Sequence, residues 1–542
     1  ATTPASPGAA QLARPRAQEQ QETINPNNRA AINAFCPSPV AAGEIWVGSN
    51  NGVIQLTKDN GAHWLDVSPA GLAANTQISI IEASHFDANT AYAAVDRHEE
   101  NDFKAHFYRT HDAGKTWQEI SSGFADGDFA RVVREDPQRK GLLYAGTESA
   151  AYVSFDEGDH WSSLQLNMPV TSIRDLVIHG DDLVAATYGR AFWILDDVAP
   201  LRQIDAKTGA TSALLFHPEK ALRVRLDLNQ DTPIPPDMPA GQNPPNGAII
   251  DFYLNSAPSQ DVTLAIYDSA NKLVREFSTK PEASGEPEPP LNVPDYWIGH
   301  PDPLTHNAGG NRFVWDLRYA APPVLRHEYP ISALYGNTPG LPLGAMVTPG
   351  AYKVRLTANG KTYEQSLTVS MDPRVDVSSD ALNQQLQLEQ KIIGTVADSY
   401  QAYKRAVAFR QLLAGDQKEL EKNPAAAAAL TALKEFDQKA QRLQGSEGGR
   451  GGGGGGRGAA QAPAFAPLNR TLGSLASVVD GQDAAPTPVM QTAFEGDCAE
   501  LAQAVAGWNQ LMKTDLSNLN GQLAKYNLSP LSGQPLTEPA CK

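Results

Sequence analysis

Cysteine is scarce: three in 542 residues are too few for a disulfide-built scaffold, and none has metal-ligand spacing. Cys498 and Cys541 both lie in the last 45 residues and could pair, leaving Cys36 over; unpaired thiols are the alternative. A disulfide would require an oxidising compartment. Long apolar runs are absent too. None reaches 18 residues, which excludes a membrane-spanning helix. Basic charge is short, with 44 Lys and Arg against 61 Asp and Glu, for a formal net charge of -17. That balance excludes nucleic acid or an anionic membrane as the natural partner. The chain opens on Ala1 without a Met or an apolar signal core, so a processed product or a fragment is expected, its export signal, if any, missing. No nucleophile elbow, phosphate loop, zinc motif or EF-hand loop occurs, and no metal or cofactor is expected.

What the chain does contain is Pro and Gly, 40 and 44 of them, beside only 19% charged residues. This favours turn-rich β structure over long helices. One turn recurs: 57–64 (TKDNGAHW), 110–117 (THDAGKTW) and 154–161 (SFDEGDHW) share the pattern [ST]-x-D-x-G-x-[TH]-W. A motif returning roughly every 40–55 residues signals a repeat architecture. The carboxylate and hydroxyl can bond local backbone N–H groups, Gly permits positive φ, and Trp can pack between neighbouring sheets. Asp59, Gly61, Trp64, Asp112, Gly114, Trp117, Asp156, Gly158 and Trp161 are therefore structural residues of a turn.

Around each turn four short strands can be laid out, the size of a propeller blade. The fourth unit degenerates at Leu195 and lacks the Gly and Trp. The fold class expected is mainly β with an α-helical tail: propeller blades in a partial ring, then an immunoglobulin- or fibronectin-like β-sandwich, then a helical bundle. Its domains run 1–30 (disordered arm), 31–217 (four blades), 218–247 (connector), 248–375 (sandwich), 376–445 (helical hairpin), 446–465 (Gly-rich linker) and 466–542 (C-terminal helices). In the hairpin, Leu386, Ile393, Tyr400 and Val407 recur at seven-residue intervals, with Leu382, Val396 and Tyr403 offset by four and three, while Asn423 and Pro424 open a second helix. Four blades leave two open flanks, expected to carry Val53, Ile54 and Leu56 in the first unit and Leu183, Val184, Phe192 and Ile194 in the fourth.

The recurring motif is the Asp-box, and the segment resembles the BNR-type β-propellers of sialidases, xyloglucanases and sortilin-like receptors. Over its whole length the chain is similar to the C-terminal portion of a family of large exported bacterial proteins, often labelled glycosyl hydrolases or sortilin-like. The phrases 43–52 (GEIWVGSNNG), 133–137 (VREDP), 186–197 (ATYGRAFWILDD), 314–318 (VWDLR), 369–374 (VSMDPR) and 484–488 (AAPTP) carry this resemblance. It implies an extracellular or periplasmic location and a preceding propeller region. The partner expected is the N-terminal part of the same precursor, or another copy, closing the ring. No xyloglucanase catalytic motif matches residue by residue.

If the Asp-box turn joins strands three and four, the turns at 49–52, 96–105, 147–149 and 187–190 emerge on the opposite face, where loops converge. The second is densest in ionisable groups. Asp96 and Glu148 are candidate acid/base residues there, and Arg97, His98, Asp102 and Arg190 candidate ligands for an anion or sugar; a solvated charged hairpin is the alternative. Three functions are open: a recognition or scaffold module for a peptide or glycan, a glycoside hydrolase whose site is shared with missing blades, and a structural part of a cell-surface assembly.

Overall fold

The computed structural model describes residues 30–541 except 73–75, 226–234, 236, 239–240, 242, 281–290, 292, 301, 331–337 and 447–461. All but Ala30 of the arm expected over 1–30, and most of the Gly-rich linker, lie outside the described residues. The chain is mostly β-sheet with a helical C-terminal region, and it divides into two compact units, Ala1–Ala206 and Lys207–Lys542.

Among its described residues the first unit contains four antiparallel sheets built from sequence neighbours. The first has β1 (Ile32–Pro37), β2 (Ile45–Ser49), β3 (Ile54–Thr57) and β4 (Leu65–Asp66); the second has β5 (Gln77–Ala83), β6 (Ala91–Asp96), β7 (His106–Thr110) and β8 (Gln118–Glu119). The third has β9 (Ala130–Glu135), β10 (Leu143–Thr147), β11 (Ala151–Ser154) and β12 (Ser162–Ser163). The fourth has only β13 (Ile173–His179), β14 (Asp182–Thr187) and β15 (Phe192–Leu195), and a short helix α1 (Ala199–Gln203) follows. Each motif Trp stands one residue before the fourth strand rather than within it.

Successive sheets pack face to face. Trp46, Ile54 and Leu56 of the first meet Ile78 and Ile81 of the second, and Phe107 and Ile120 of the second meet Val133 and Trp161 of the third. Tyr144 and Val153 of the third meet Leu176 and Leu183 of the fourth. Two expected flank residues, Ile54 and Leu56, are thus interior, and Leu183 is turned inward as well. Period-2 alternation separates two faces of a strand but does not say which neighbour each one meets. Close approach needs a small residue. A Cβ on Gly48 would come within 2.4 Å of the Ile78 side chain.

All four first strands carry one extra residue opposite their second strand. The pairing skips Asn33, Ser79, Arg131 and Arg174. Such a bulge bends the strand and re-aims the side chain it releases.

In the second unit, β16 (Ala213–Leu215), β18 (Ala248–Leu254) and β21 (Gly309–Trp315) form one sheet. A second sheet runs in the order β17 (Ala221–Arg223), β23 (Lys361–Met371), β22 (Gly350–Ala358), β19 (Thr263–Tyr267) and β20 (Leu273–Ser278). The two share one core, in which Ile250, Phe252, Leu264, Trp315, Val354 and Leu356 are buried. The chain therefore divides at 206/207 rather than 217/218, and the expected connector contributes β17, which pairs parallel with β23. Three-residue strands are too short to show alternation, so the sequence does not reveal them.

Among the described residues five α-helices complete this unit: α2 (Ser379–Glu421), α3 (Ala427–Gln444), α4 (Phe465–Asp480), α5 (Pro488–Gln510) and α6 (Leu516–Leu523). Ser378 caps α2 through the Ala381 N–H, and Thr487 caps α5 through the Met490 N–H, with Pro488 in the first turn. Asn423 caps a 3-10 turn, Pro424–Ala426, that leads into α3. The buried stripe of α2 runs through Leu382, Leu388, Ile392, Val396, Ala402 and Phe409, leaving Leu386, Ile393, Tyr400 and Val407 beside it, only partly buried. Asn469 of α4, 1% exposed, accepts from the Leu325 N–H at 3.0 Å and donates to the Val396 carbonyl and the Ser399 hydroxyl of α2.

A buried charge cluster joins these helices to the sheets. Arg223 pairs with Asp483, Arg225 with Asp483 (2.6 Å) and Asp480 (2.9 Å), and Arg318 with Asp480 (2.9 Å). Cys498 and Cys541 form a disulfide with their Cα atoms 5.6 Å apart, and Cys36 is free. Among the described residues no helix is long and apolar enough to cross a membrane.

Candidate functional site

The recurring turn is held the same way three times. The Thr57 hydroxyl donates to Asp59 (2.9 Å) and accepts from the Gly61 N–H (2.9 Å), while Asp59 accepts from the His63 N–H (2.9 Å) and pairs with the His63 ring (2.6 Å). Thr110, Asp112, Gly114 and Thr116 repeat this, as do Ser154, Asp156, Gly158 and His160. The three glycines have φ of 91°, 78° and 94°, which favours a residue without Cβ. The His63 N–H, then the His63 ring and the Thr57 hydroxyl, bring the Asp59 carboxyl down to about 2. These carboxylates are occupied in tying the turn, leaving no free acid for chemistry.

At the other ends of the strands the β6–β7 turn, the β10–β11 turn and the starts of β9 and β13 come together around Arg131. Its Nη1 lies 2.9 Å from Asp96 Oδ2, while its Nε and Nη2 both lie 2.7 Å from Glu148 Oε2. Asp96, 2% exposed, also accepts from the His98 N–H at 2.9 Å and pairs with His98 Nδ1 at 2.6 Å. The Ser172 hydroxyl donates to Glu148 at 2.8 Å. Burial raises the Glu148 carboxyl, but Ser172 and Arg131 together hold it below the usual range.

Aromatic rings floor and flank this clamp. The Arg131 guanidinium sits 4.4 Å over the Phe129 ring, on which His98 also stacks at 4.9 Å. Phe103 meets Phe129 edge-on and is itself exposed, and Arg174 lies 4.7 Å over the exposed ring of Tyr188. Elsewhere in the 96–105 turn Arg97 and Asp102 are engaged locally. Arg97 binds Glu100 (3.3 Å) and Asp102 (3.2 Å), and Asp102 reaches His106 Nε2 (3.0 Å). Against the burial that raises it, the Lys104 N–H and His106 keep Asp102 low.

The structure thus brings Asp96, His98 and Glu148 together through Arg131, and it gathers Arg97 and Asp102 into a separate pair in the same turn. Arg190 is exposed on the β14–β15 turn, where its main chain accepts from Trp193 Nε1, and among the described residues no ion pair joins it to the cluster. Sequence reasoning missed Arg131, Phe129, Ser172, Arg174 and Tyr188. A usable signal was present: Arg131 and Arg174 occupy the same place in their repeats, second in Ala130-Arg131 and Ile173-Arg174.

A cavity of about 230 Å³ lies at the far ends of the inner strands, lined by Glu82, His85, Arg134, Glu135 and Leu176 among others. Arg134 is fully engaged there by Glu82 (3.0 Å), Asp175 (2.7 Å) and the Leu176 carbonyl (2.9 Å). Among the described residues no group of His, Cys, Asp and Glu is arranged to hold a metal ion.

No family model matches the chain, and no curated protein matches it. Among solved structures it is similar to YCF48 from Cyanidioschyzon merolae, at 18% identity and TM-score 0.25, over 31% of this chain and 54% of that one. A peptide-bound YCF48 gives 14% and 0.26, over 46% and 68%; a GH74 xyloglucanase from Xanthomonas campestris gives 15% and 0.27, over 35% and 32%. The chain therefore spans about half the length of the first of these. Likeness at these scores carries no argument about activity or partner.

Proposed function

We propose that the four stacked sheets are blades of an Asp-box β-propeller left open in this chain, and that the protein is an exported recognition or scaffold module whose loop face binds a peptide or glycan. The observation that carries this is the Arg131 clamp. Two carboxylates are locked on one guanidinium, flanked by the exposed rings of Phe103 and Tyr188. A rigid polar centre between exposed aromatics suits a sugar face or a peptide side chain. Export accords with the Cys498–Cys541 disulfide, which persists only in an oxidising compartment. The sheets of 213–371 are read as a small sandwich and the helices as a bundle that docks on it. The open ring is read as closed by further sheets, from the N-terminal part of the same precursor or from another copy.

The test is binding of the purified chain to an array of plant and bacterial glycans and to a random peptide library. Tyr188→Ala and Phe103→Ala should each abolish the binding found while leaving the melting temperature unchanged. A natively folded chain that binds neither class, or whose binding survives both substitutions, overturns the proposal.

Glycoside hydrolysis is the second reading, favoured by the pairing of two carboxylates at one site. Such catalysis needs one carboxyl raised to act as acid. Glu148 is instead held low and Asp96 is closed off by Arg131 and His98. Release of reducing sugar from a polysaccharide, lost in Glu148→Gln, would reverse the preference. A structural role in a cell-surface assembly is the third, and nothing at this site selects it.

A further inference from the structure

The turns around Arg131 follow one register. Asn50, Asp96, Glu148 and Tyr188 hold equivalent positions at the ends of their second strands. The main-chain N–H of Asn50 donates to the Ala31 carbonyl, that of Glu148 to Phe129 and that of Tyr188 to Ser172, while Asp96 pairs with Gln77. The bulge residues Asn33, Ser79, Arg131 and Arg174 are equivalent too, each standing two residues beyond that partner on its first strand. A bulge releases its side chain from the sheet's own alternation.

Across the second, third and fourth sheets these positions make a row: Asp96, Arg131, Glu148, Arg174, Tyr188. Arg131 takes the acid of the preceding sheet on one side and the acid of its own sheet on the other. By the same offsets Arg174 stands between Glu148 and Tyr188, so both of its neighbours in the row belong to this chain. Its charge helps to lower Glu148, but Glu148 Oε2 is already taken by Arg131 and Ser172. Where Arg131 has a second carboxylate, Arg174 has the Tyr188 ring, 4.7 Å from its guanidinium. Among the described residues no hydrogen bond or ion pair holds that guanidinium. Both side chains are exposed, Tyr188 by 72%.

We infer that Arg174 and Tyr188 form a subsite for a carboxylate carried on a sugar ring, so that the ligand of the loop face is an acidic glycan containing uronic acid units. This rests on the recognition reading above and names its ligand class. Arg131 shows what an arginine at this position does when a carboxylate is in reach: its Nε and Nη2 close on one oxygen at 2.7 Å. Arg174 offers the same fork with no acid of its own to fill it. A uronic acid carries its carboxylate directly on a pyranose ring, so acid and apolar ring face arrive together, as cation and aromatic ring stand together here. A peptide fits less well, because docking of an extended chain draws on main-chain donors. The N–H groups of 147–150, 187, 188 and 190 are all spent inside the turns. The net charge of -17 opposes an acidic ligand at long range, but it is screened beyond about 10 Å at 0.1 M salt, whereas a carboxylate on Arg174 is in direct contact.

The test is calorimetry on the purified full chain with tetramers of galacturonic acid and of mannuronic acid, the methyl esters of both, and a tetraglutamate peptide. At least one acid should bind, about 10-fold or more tightly than its ester, as a charge-assisted hydrogen bond warrants. Arg174→Gln should weaken that acid by about 10-fold and leave the ester where it was. Arg174→Lys should restore part of the loss, since it returns the charge without the fork. Neither variant should move the melting temperature, because the Arg174 side chain is exposed. Failure of both acids to bind, an acid no tighter than its ester, binding untouched by Arg174→Gln, or tetraglutamate bound as tightly as the sugar each overturns the inference. If a neutral glycan or a peptide binds instead, and is lost in Tyr188→Ala but not in Arg174→Gln, the recognition reading stands and only the acidic ligand falls. A folded chain that binds no glycan and no peptide sinks both.

Discussion

The indole N–H of Trp117 donates a 2.7 Å hydrogen bond to the main-chain carbonyl of Val67, tying the turn of the second sheet to the residue that follows the last strand of the first. Trp161 repeats this on the carbonyl of Ile120 at 2.8 Å. Trp64 has no earlier sheet within the described residues to grip and is 39% exposed. Trp117→Ala should therefore destabilise the first unit by about 3–5 kcal/mol, as other large aromatic deletions do. Trp161→Ala should cost at least as much and Trp64→Ala clearly less. Denaturant unfolding of the three full-length variants gives the order, and equal losses would remove the inter-sheet role.

Asp59 provides a pH test. Its carboxyl is brought to about 2 by the His63 N–H, the His63 ring and the Thr57 hydroxyl, from an ordinary value of 3.8. Since the folded value is the lower, its stabilising contribution is present above 3.8 and is lost as pH falls through about 2. Carbon-detected NMR titration should find the Asp59 midpoint near 2, and Thr57→Val should move it upward. A wild-type midpoint at 3.8 would mean the turn is not tied in solution.

Arg131 holds a buried charge in place. Arg131→Met leaves Asp96 without its cation, and breaking a buried pair from one side costs about 3–5 kcal/mol. Glu148 should then titrate at a higher pH, because one of the groups that lower it is gone while Ser172 and Arg174 remain. Arg131→Lys keeps the charge but not the grip along two edges, and should fall between. Thermal unfolding together with the Glu148 titration distinguishes this from a simple packing loss, which would leave the titration where it was.

Glu389 behaves in the opposite sense. Burial, then the neighbouring Asp480, pushes its carboxyl from 4.5 up to about 8, and its Oε1 has no hydrogen-bond partner within the described residues. A raised folded value means that the protonated acid contributes fully below 4.5, and that this is lost as pH rises through about 8. Stability of the second unit should fall between pH 5 and pH 9 by a few kcal/mol, each pKa unit being about 1.4 kcal/mol. Glu389→Gln should flatten that slope. A variant with the wild-type slope would show that another group sets it.

The turns were legible in the sequence because main-chain geometry dictates their side chains: a hydroxyl and a carboxylate at fixed spacing, and a residue tolerant of positive φ. The loop cluster was half legible. Asp96 and Glu148 stood out as acids on turns, but the group joining them, Arg131, lies 35 and 17 residues from its partners and meets them only because sheets stack. In α2 the offset row Leu382, Val396 and Tyr403 is buried as read, but the row from Leu386 to Val407 lies one residue beside the buried stripe, since Gln385, Glu389 and Ser399 occupy buried positions that hydrophobicity does not mark. The strands β16 and β17 left no pattern because each completes a sheet whose other strands lie far along the chain.

Asn469 has a consequence for how α4 can sit. Apolar side chains on two helices tolerate a slide of one turn, since one methyl-lined surface resembles the next. An amide does not. Its oxygen must find the Leu325 N–H and its nitrogen the Val396 carbonyl and Ser399 hydroxyl, and a buried amide left without them is costly. One turn away on either side stand Phe465 and Gly473, which offer no amide. A single side chain therefore works as a key with one position in its lock. It indexes α4 against α2 and against the segment at Leu325, so that three distant stretches of the sequence agree on one alignment.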